Sequence, residues 1–175
     1  EDLFMHAKDS LFETLNNRIE GDVLNSELSR SLYSSGASLY RIKPRAIVQP
    51  RSTNDLVATV RFAREHKIPI TARGGGTSRT GNELGAGIVI DFSKYLNRVV
   101  DLSAGERWVR VQPGIVLAEL NRYLKPYDLY FPIDPSTKDA ATLGGMIANN
   151  SSGAHAPVYG TTGDHIAELE VVLAD

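Results

Sequence analysis

A chain of 175 residues that is 42% hydrophobic can bury one ordinary domain, or two small lobes sharing an interface. Its 19 basic and 21 acidic residues leave a net charge of −2, which excludes a basic field for nucleic acid and a polybasic patch for membranes. Cysteine is absent, so disulfides, thiolate metal sites, iron–sulfur ligation and cysteine nucleophiles are excluded from this sequence.

The acidic start, Glu1-Asp2-Leu3-Phe4, lacks the basic and apolar regions of a secretion signal. No apolar run approaches the ~20 residues of a membrane span. These features suit a cytoplasmic protein, with any membrane association peripheral and made through other parts of a longer chain. Residues 1–32 read as helical: Leu11, Leu15 and Ile19 recur every four residues, with Phe4 and Phe12 nearby. Gly21-Asp22 breaks that pattern, and Val23, Leu24 and Leu28 read as a second short helix. Residues 33–45 read as a polar linker, to which only packing is assigned.

Ala46 to Pro50 reads as a short strand. Ser52 and Asp55 then stand in capping-box spacing, and Leu56, Val57, Val60 and Ala63 mark the apolar face of the helix that follows. Ile68 to Ala72 reads as a buried strand, which completes a βαβ unit. Gly87 to Asp91 is a third apolar strand. Val99 to Leu102 and Trp108 to Gln112 read as an antiparallel pair turning at Ser103 to Glu106. Leu117, Leu120 and Leu124 share one helix face. Thr142 caps a further helix whose first turn holds Gly144 and Gly145, at about 1 kcal/mol each against Ala. Leu169 to Asp175 reads as a buried strand that stops without closing, the pattern of a fragment.

Two stretches carry chemistry. The first is Ala72-Arg73-Gly74-Gly75-Gly76-Thr77-Ser78-Arg79-Thr80-Gly81, at the end of a strand. Glycine amides can turn inward together and wrap an anion, so this run is either a phosphate cradle or a plain surface loop. The second runs from Phe131-Pro132-Ile133-Asp134-Pro135 through Gly144-Gly145 and Asn149-Asn150-Ser151-Ser152-Gly153 to Tyr159-Gly160-Thr161-Thr162-Gly163-Asp164-His165. Its small residues form either surface loops or a bed on which a flat ligand lies against backbone.

Taken in order, the blocks Arg73 to Ser78, Val111-Gln112-Pro113-Gly114, Phe131-Pro132-x-Asp134-Pro135, Thr142-x-Gly144-Gly145, Asn149-x-x-Ser152-Gly153 and Tyr159-Gly160-Thr161-Thr162-x-Asp164 resemble a known pattern. It is that of the FAD-binding domain of the vanillyl-alcohol oxidase and p-cresol methylhydroxylase (PCMH-type) superfamily, in its glycolate oxidase and D-lactate dehydrogenase branch. The resemblance runs from about Pro44 to Asp175. It implies an α+β fold: a small βαβ subdomain near residues 44–100, then an antiparallel-sheet subdomain with helices from near residue 107. Residues 1–43 would precede it as a helical segment and linker, and residues 44–175 would form the FAD-binding domain, incomplete at its C-terminus.

The resemblance also implies which residues meet FAD. Arg73, Gly74, Gly75, Gly76, Thr77 and Ser78 would hold the pyrophosphate, with Gly81 and Asn82 closing the loop. Pro135, Thr142, Gly144, Gly145, Asn149, Ser152, Gly153, Tyr159 and Gly160 would line the cofactor, and Ile166 would stand near the adenosine end. Some relatives attach flavin covalently through a His where this chain has Thr77, so the FAD here is expected to be non-covalent. Relatives also often carry an Asp where this chain has Gly36, a position that shapes the approach loop.

In that branch a base takes the hydroxyl proton of a 2-hydroxy acid and hydride passes to flavin. The substrate-pairing cation and the base come largely from a later domain. Other substrate classes on the same fold are sugar alcohols and cell-wall precursors, and a scaffold that binds FAD weakly is the non-enzymatic alternative. The electron acceptor is not readable. Of the four histidines, His6 and His66 read as solvated, and His155 and His165 as structural before catalytic. No catalytic residue and no metal ligand is assigned.

Overall fold

The run Ile88-Val89-Ile90 has no polar face to offer water, and it forms one of the two inner strands of a four-stranded sheet. The computed structural model describes residues 11–174. Phe4 and His6 lie outside them. In chain order, a helical stretch over 11–16 is followed by β1 (Asp22–Leu24), α1 (Glu27–Leu32), β2 (Ala46–Gln49), α2 (Thr53–Glu65), β3 (Ile70–Arg73) and β4 (Ile88–Asp91). The sheet order is β1-β2-β4-β3, with β1 antiparallel to β2 and the other neighbours parallel.

The βαβ unit is present, but its two strands are not neighbours. β4 inserts between β2 and β3, pairing Val48 with Ile90 on one side and Ala72 with Ile90 on the other. Parallel neighbours normally need a helical crossover. Here β3 and β4 are joined by residues 74–87, which contain no helix, so the glycine-rich loop is itself the connection.

Every residue of β2 and β4 is buried. Ala46, Val48, Ile88 and Ile90 pack with Phe62 and Ala63 of α2 and with Phe12 and Leu15 into the first core. β3 is not the buried strand expected. It lies at the sheet edge, with Ile70 37% exposed. The expected face of α2 is also shifted: Asp55, Thr59, Phe62 and Ala63 are the buried residues, and Leu56 only borders the core. Thr59 donates to the Asp55 carbonyl at 2.7 Å. Asp55 itself accepts from the amides of Glu20, Gly21 and Arg51 at 3.0, 3.0 and 2.8 Å, so two polar residues occupy the inner face with partners in place.

Val23 and Leu24 do not continue a helix. They pair with Val48 and Ile47, because the open edge of β2 supplies ladder partners that a short helix would not. The capping residue Ser52 accepts from the Asp55 amide as its spacing predicts.

The second lobe begins with the antiparallel pair β5 (Val99–Ser103) and β6 (Trp108–Val111), joined at residues 104–107. It continues with α3 (Leu117–Leu124), a 3₁₀ turn (Lys125–Tyr127), α4 (Leu143–Ala148), α5 (Ala156–Tyr159) and a 3₁₀ turn (Thr162–His165). Leu117, Leu120 and Leu124 point into a second core with Ile115, Ile133, Leu143 and Met146. The lobes meet closely where a side chain at Gly114 would overlap the Phe92 carbonyl. Residues 169–174 form no strand; Leu169, Val171 and Leu173 are 57–66% exposed and pair with no strand among the described residues. No described helix is long and apolar enough to cross a membrane.

Candidate functional site

The site is built at the carboxyl end of β3, where open α/β sheets receive ligands. The chain leaves the sheet at Arg73, and Gly76 adopts φ +65°, in the left-handed region that favours glycine. Among the described residues, nothing accepts a hydrogen bond from the amides of Gly74, Gly75, Gly76, Thr77 or Ser78. Consecutive unpaired amides are the donors an anion needs. The cations Arg73 and Arg79 flank them, and neither takes part in an ion pair among the described residues.

The second glycine block meets the first directly. A side chain at Gly74 would overlap the Thr142 hydroxyl, and one at Gly75 would overlap the Ala140 carbonyl. Thr142 accepts from the Gly145 amide, which caps α4. Gly144 faces Pro113, which explains its lack of a side chain by backbone packing, whereas a side chain at Gly145 would meet only the Thr142 hydroxyl. Asn82 donates to Asn149 at 2.8 Å, and Asn149 donates to the Gly145 carbonyl at 2.9 Å. Ser78, Thr80 and Asn82 form a hydroxyl–amide chain along the loop rim. Arg73, Gly74, Gly75, Gly76, Thr77, Ser78, Gly81, Asn82, Thr142, Gly144, Gly145 and Asn149 are therefore gathered in one place.

The remaining expected residues form a neighbouring group. Asp134, beside Pro135, receives the 153–155 loop: its carboxyl oxygens take the His155 amide at 3.3 Å and His155 Nδ1 at 2.6 Å, and no side chain would fit at Gly153 beside it. The His155 ring holds the Asp134 carboxyl below its usual range, chiefly through this hydrogen bond. Tyr130 donates to the Tyr159 hydroxyl at 3.0 Å, which raises the Tyr130 phenol. Gly160, at φ +76°, lies against Asp164, whose carboxyl accepts from the amide and hydroxyl of Thr161. Asn150, also left-handed at φ 44°, accepts from the Gly163 amide and returns this loop onto the end of α4. Ser152 is exposed and Ile166 follows the last 3₁₀ turn; among the described residues, no hydrogen bond joins either to the glycine loop.

Sequence reading missed the upstream part. Residues 33–45 are not merely a linker. Arg73 donates to the carbonyls of Ser35 and Tyr33, its guanidinium lies 5.2 Å over the Tyr33 ring, and the Ala37 amide donates to the Gly76 carbonyl at 3.0 Å. Tyr33 in turn donates to buried Asp91 at 2.5 Å and accepts from Gln49 at 3.0 Å, joining the ends of β2 and β4. Burial, and then the bond to Asp91, push the Tyr33 phenol up to about 12. A carboxylate ending the otherwise apolar run Ile88-Val89-Ile90-Asp91 is the signal that could have exposed this network.

The sequence profile of the FAD binding domain family matches residues 44–175. The D-2-hydroxyglutarate dehydrogenase of Pantoea ananatis is 42% identical over 156 residues, which are 87% of this chain and 15% of that protein. The glycolate oxidase subunit GlcD of Bacillus subtilis is 34% identical over 154 residues, 86% of this chain and 33% of that one. This chain thus spans a third or less of these curated relatives. Among solved structures, an alkyldihydroxyacetonephosphate synthase superposes with a TM-score of 0.78 at 26% identity, covering 89% of this chain and 32% of that one.

Proposed function

This chain belongs to the FAD binding domain family, with FAD as its cofactor, and on that premise we propose that it is the cofactor-holding part of a flavin-dependent dehydrogenase acting on a 2-hydroxy acid. The observation that carries the reading is the row of amides from Gly74 to Ser78 without a partner among the described residues, beside Arg73 and at the end of a parallel strand. That row matches the donor needs of a pyrophosphate, which asks for several N–H groups and nearby positive charge. Gly145, Asn149, Gly153, Tyr159 and Gly160 extend the bed away from the pyrophosphate, and Ile166 borders the adenosine end.

When bound, FAD supplies the hydride acceptor. The work of this chain is to bind and orient it. Thr142 holds the first turn of α4 close to the glycine loop, and Asn82 with Asn149 ties the far rim. Thr77 offers no nucleophile of the kind that links flavin covalently, so the cofactor is held non-covalently. Residues 44–175 form the FAD-binding domain in this reading, and residues 1–43 an N-terminal segment. A cytoplasmic location completes it.

The 2-hydroxy-acid class is supported by the names of the dehydrogenase and oxidase relatives. The test is anaerobic mixing of the full-length protein with candidate substrates. Flavin absorbance is expected to bleach with D-2-hydroxyglutarate, lactate or glycolate, and to stay unchanged with sugar alcohols and cell-wall precursors. The reverse pattern, or a colourless protein that takes up no FAD, overturns the reading. Acid precipitation is expected to leave the flavin in the supernatant; yellow precipitate would overturn the non-covalent assignment.

A further inference from the structure

The stretch 33–37 precedes the residues matched by the family profile, yet it is bound to the glycine loop by three contacts. Arg73 holds the carbonyls of Tyr33 and Ser35, and Ala37 donates to the Gly76 carbonyl. Between this strap and the loop lies Glu83. It is 5% exposed, and both carboxyl oxygens are buried without a hydrogen-bond partner among the described residues. Such a group is destabilising where it stands. Its Oε1 occupies the place that a side chain at residue 36 would fill. Gly36 has no left-handed φ, so glycine is there for space and not for backbone freedom.

Glu83 also closes the loop. It sits in the turn 81–84, where the Leu84 amide donates to the Gly81 carbonyl at 3.0 Å. Gly81, at φ +77°, packs against the Tyr40 ring, so the strap touches the loop at both ends. Anything that displaces the Glu83 carboxyl therefore shifts the turn, the strap and the arc of free amides together.

We propose that Gly36 and Glu83 form a clasp that sets the curvature of the FAD loop, so that the cofactor site extends upstream to residues 33–40. Glu83 is a positioning residue. It acts through the shape it imposes on the Gly74–Ser78 amides and touches no ligand itself. The inference rests on the FAD reading of that loop.

The experiment is calorimetric titration of FAD into the full-length apoprotein, with the melting temperature of each apoprotein recorded. Uptake by the unaltered protein is tested first, and its failure would count against FAD and not against the clasp. Glu83→Ala is expected to weaken FAD binding at least about fivefold while its apoprotein melts no lower than the original, because an unpartnered buried carboxyl has been removed. Glu83→Gln, which keeps the shape, stays within about twofold. Gly36→Ala is expected to weaken binding about tenfold or more, and adding Glu83→Ala to it leaves binding no weaker than Glu83→Ala alone. FAD affinity of Glu83→Ala within about twofold of the unaltered protein would overturn the proposal, as would single effects that simply multiply in the double variant. Glu83→Ala only removes atoms, so it carries the test even if Gly36→Ala fails to fold.

Discussion

Tyr33 shows how one side chain can be functional in a way its sequence neighbourhood hides. It stands in the polar run Tyr33-Ser34-Ser35-Gly36, yet its hydroxyl bridges Asp91 and Gln49 from two different strands. Its phenol is raised to about 12, above the ordinary value near 10. The folded state therefore keeps the proton longer than the unfolded chain. The resulting stabilisation is complete below about pH 10 and is lost as the pH rises toward 12. An ultraviolet titration of tyrosinate should show late steps from Tyr33 and Tyr130, and Tyr33→Phe should remove the one near 12; an unchanged step near 12 would assign it elsewhere. The glycines make the opposite point. Gly74 and Gly75 read as ligand-driven, but each also faces a fixed group of the fold, the Thr142 hydroxyl and the Ala140 carbonyl. That second reason depends on residues far along the chain, and no local pattern carries it.

The elements themselves were legible where one face is uniformly apolar. β2, β4, α3 and the β5–β6 pair fall where the apolar runs or the Leu spacing put them. Reading failed where polar residues face inward. In α2 the inner face is led by Asp55, so apolar counting selected Val57 and Val60 instead. Asp55 gathers three backbone amides, from Glu20, Gly21 and Arg51, and pins the approach to β1 against the start of α2. Replacing it with Ala strands those donors and should cost about 3 kcal/mol. Denaturant unfolding measures this, and a loss below about 1 kcal/mol would mean that water replaces the carboxyl freely. β1 was misread for a related reason: three residues carry too little periodicity to outweigh a free strand edge elsewhere in the fold.

Across the whole molecule, two cores share one seam. The first gathers β2, β4 and α2, the second gathers α3 and α4, and the glycine loop lies against Thr142 between them. A ligand in that seam should stabilise both. At a hundredfold excess over its dissociation constant, FAD should add about 2.7 kcal/mol to folding. Hydrogen exchange should slow at Ile90 in β4 and at Leu120 in α3 together; protection confined to one lobe would place the ligand outside the seam. The order of blocks along the sequence made this family legible, because Gly-rich turns announce themselves locally. The seam did not, since it depends on which strand lies beside which.

That strand order sets a timetable for synthesis. β4 is the last of the four strands to be made, yet it is the piece that joins β2 to β3. Until Ile88 to Asp91 emerges from the ribosome, β3 has no partner and the inner edge of β2 stays bare. The nascent chain must carry an open edge through the whole glycine-rich stretch, the interval in which edge-to-edge association competes with folding. Slowing translation just before residue 88 should therefore raise aggregation, and slowing it just after residue 91 should relieve it.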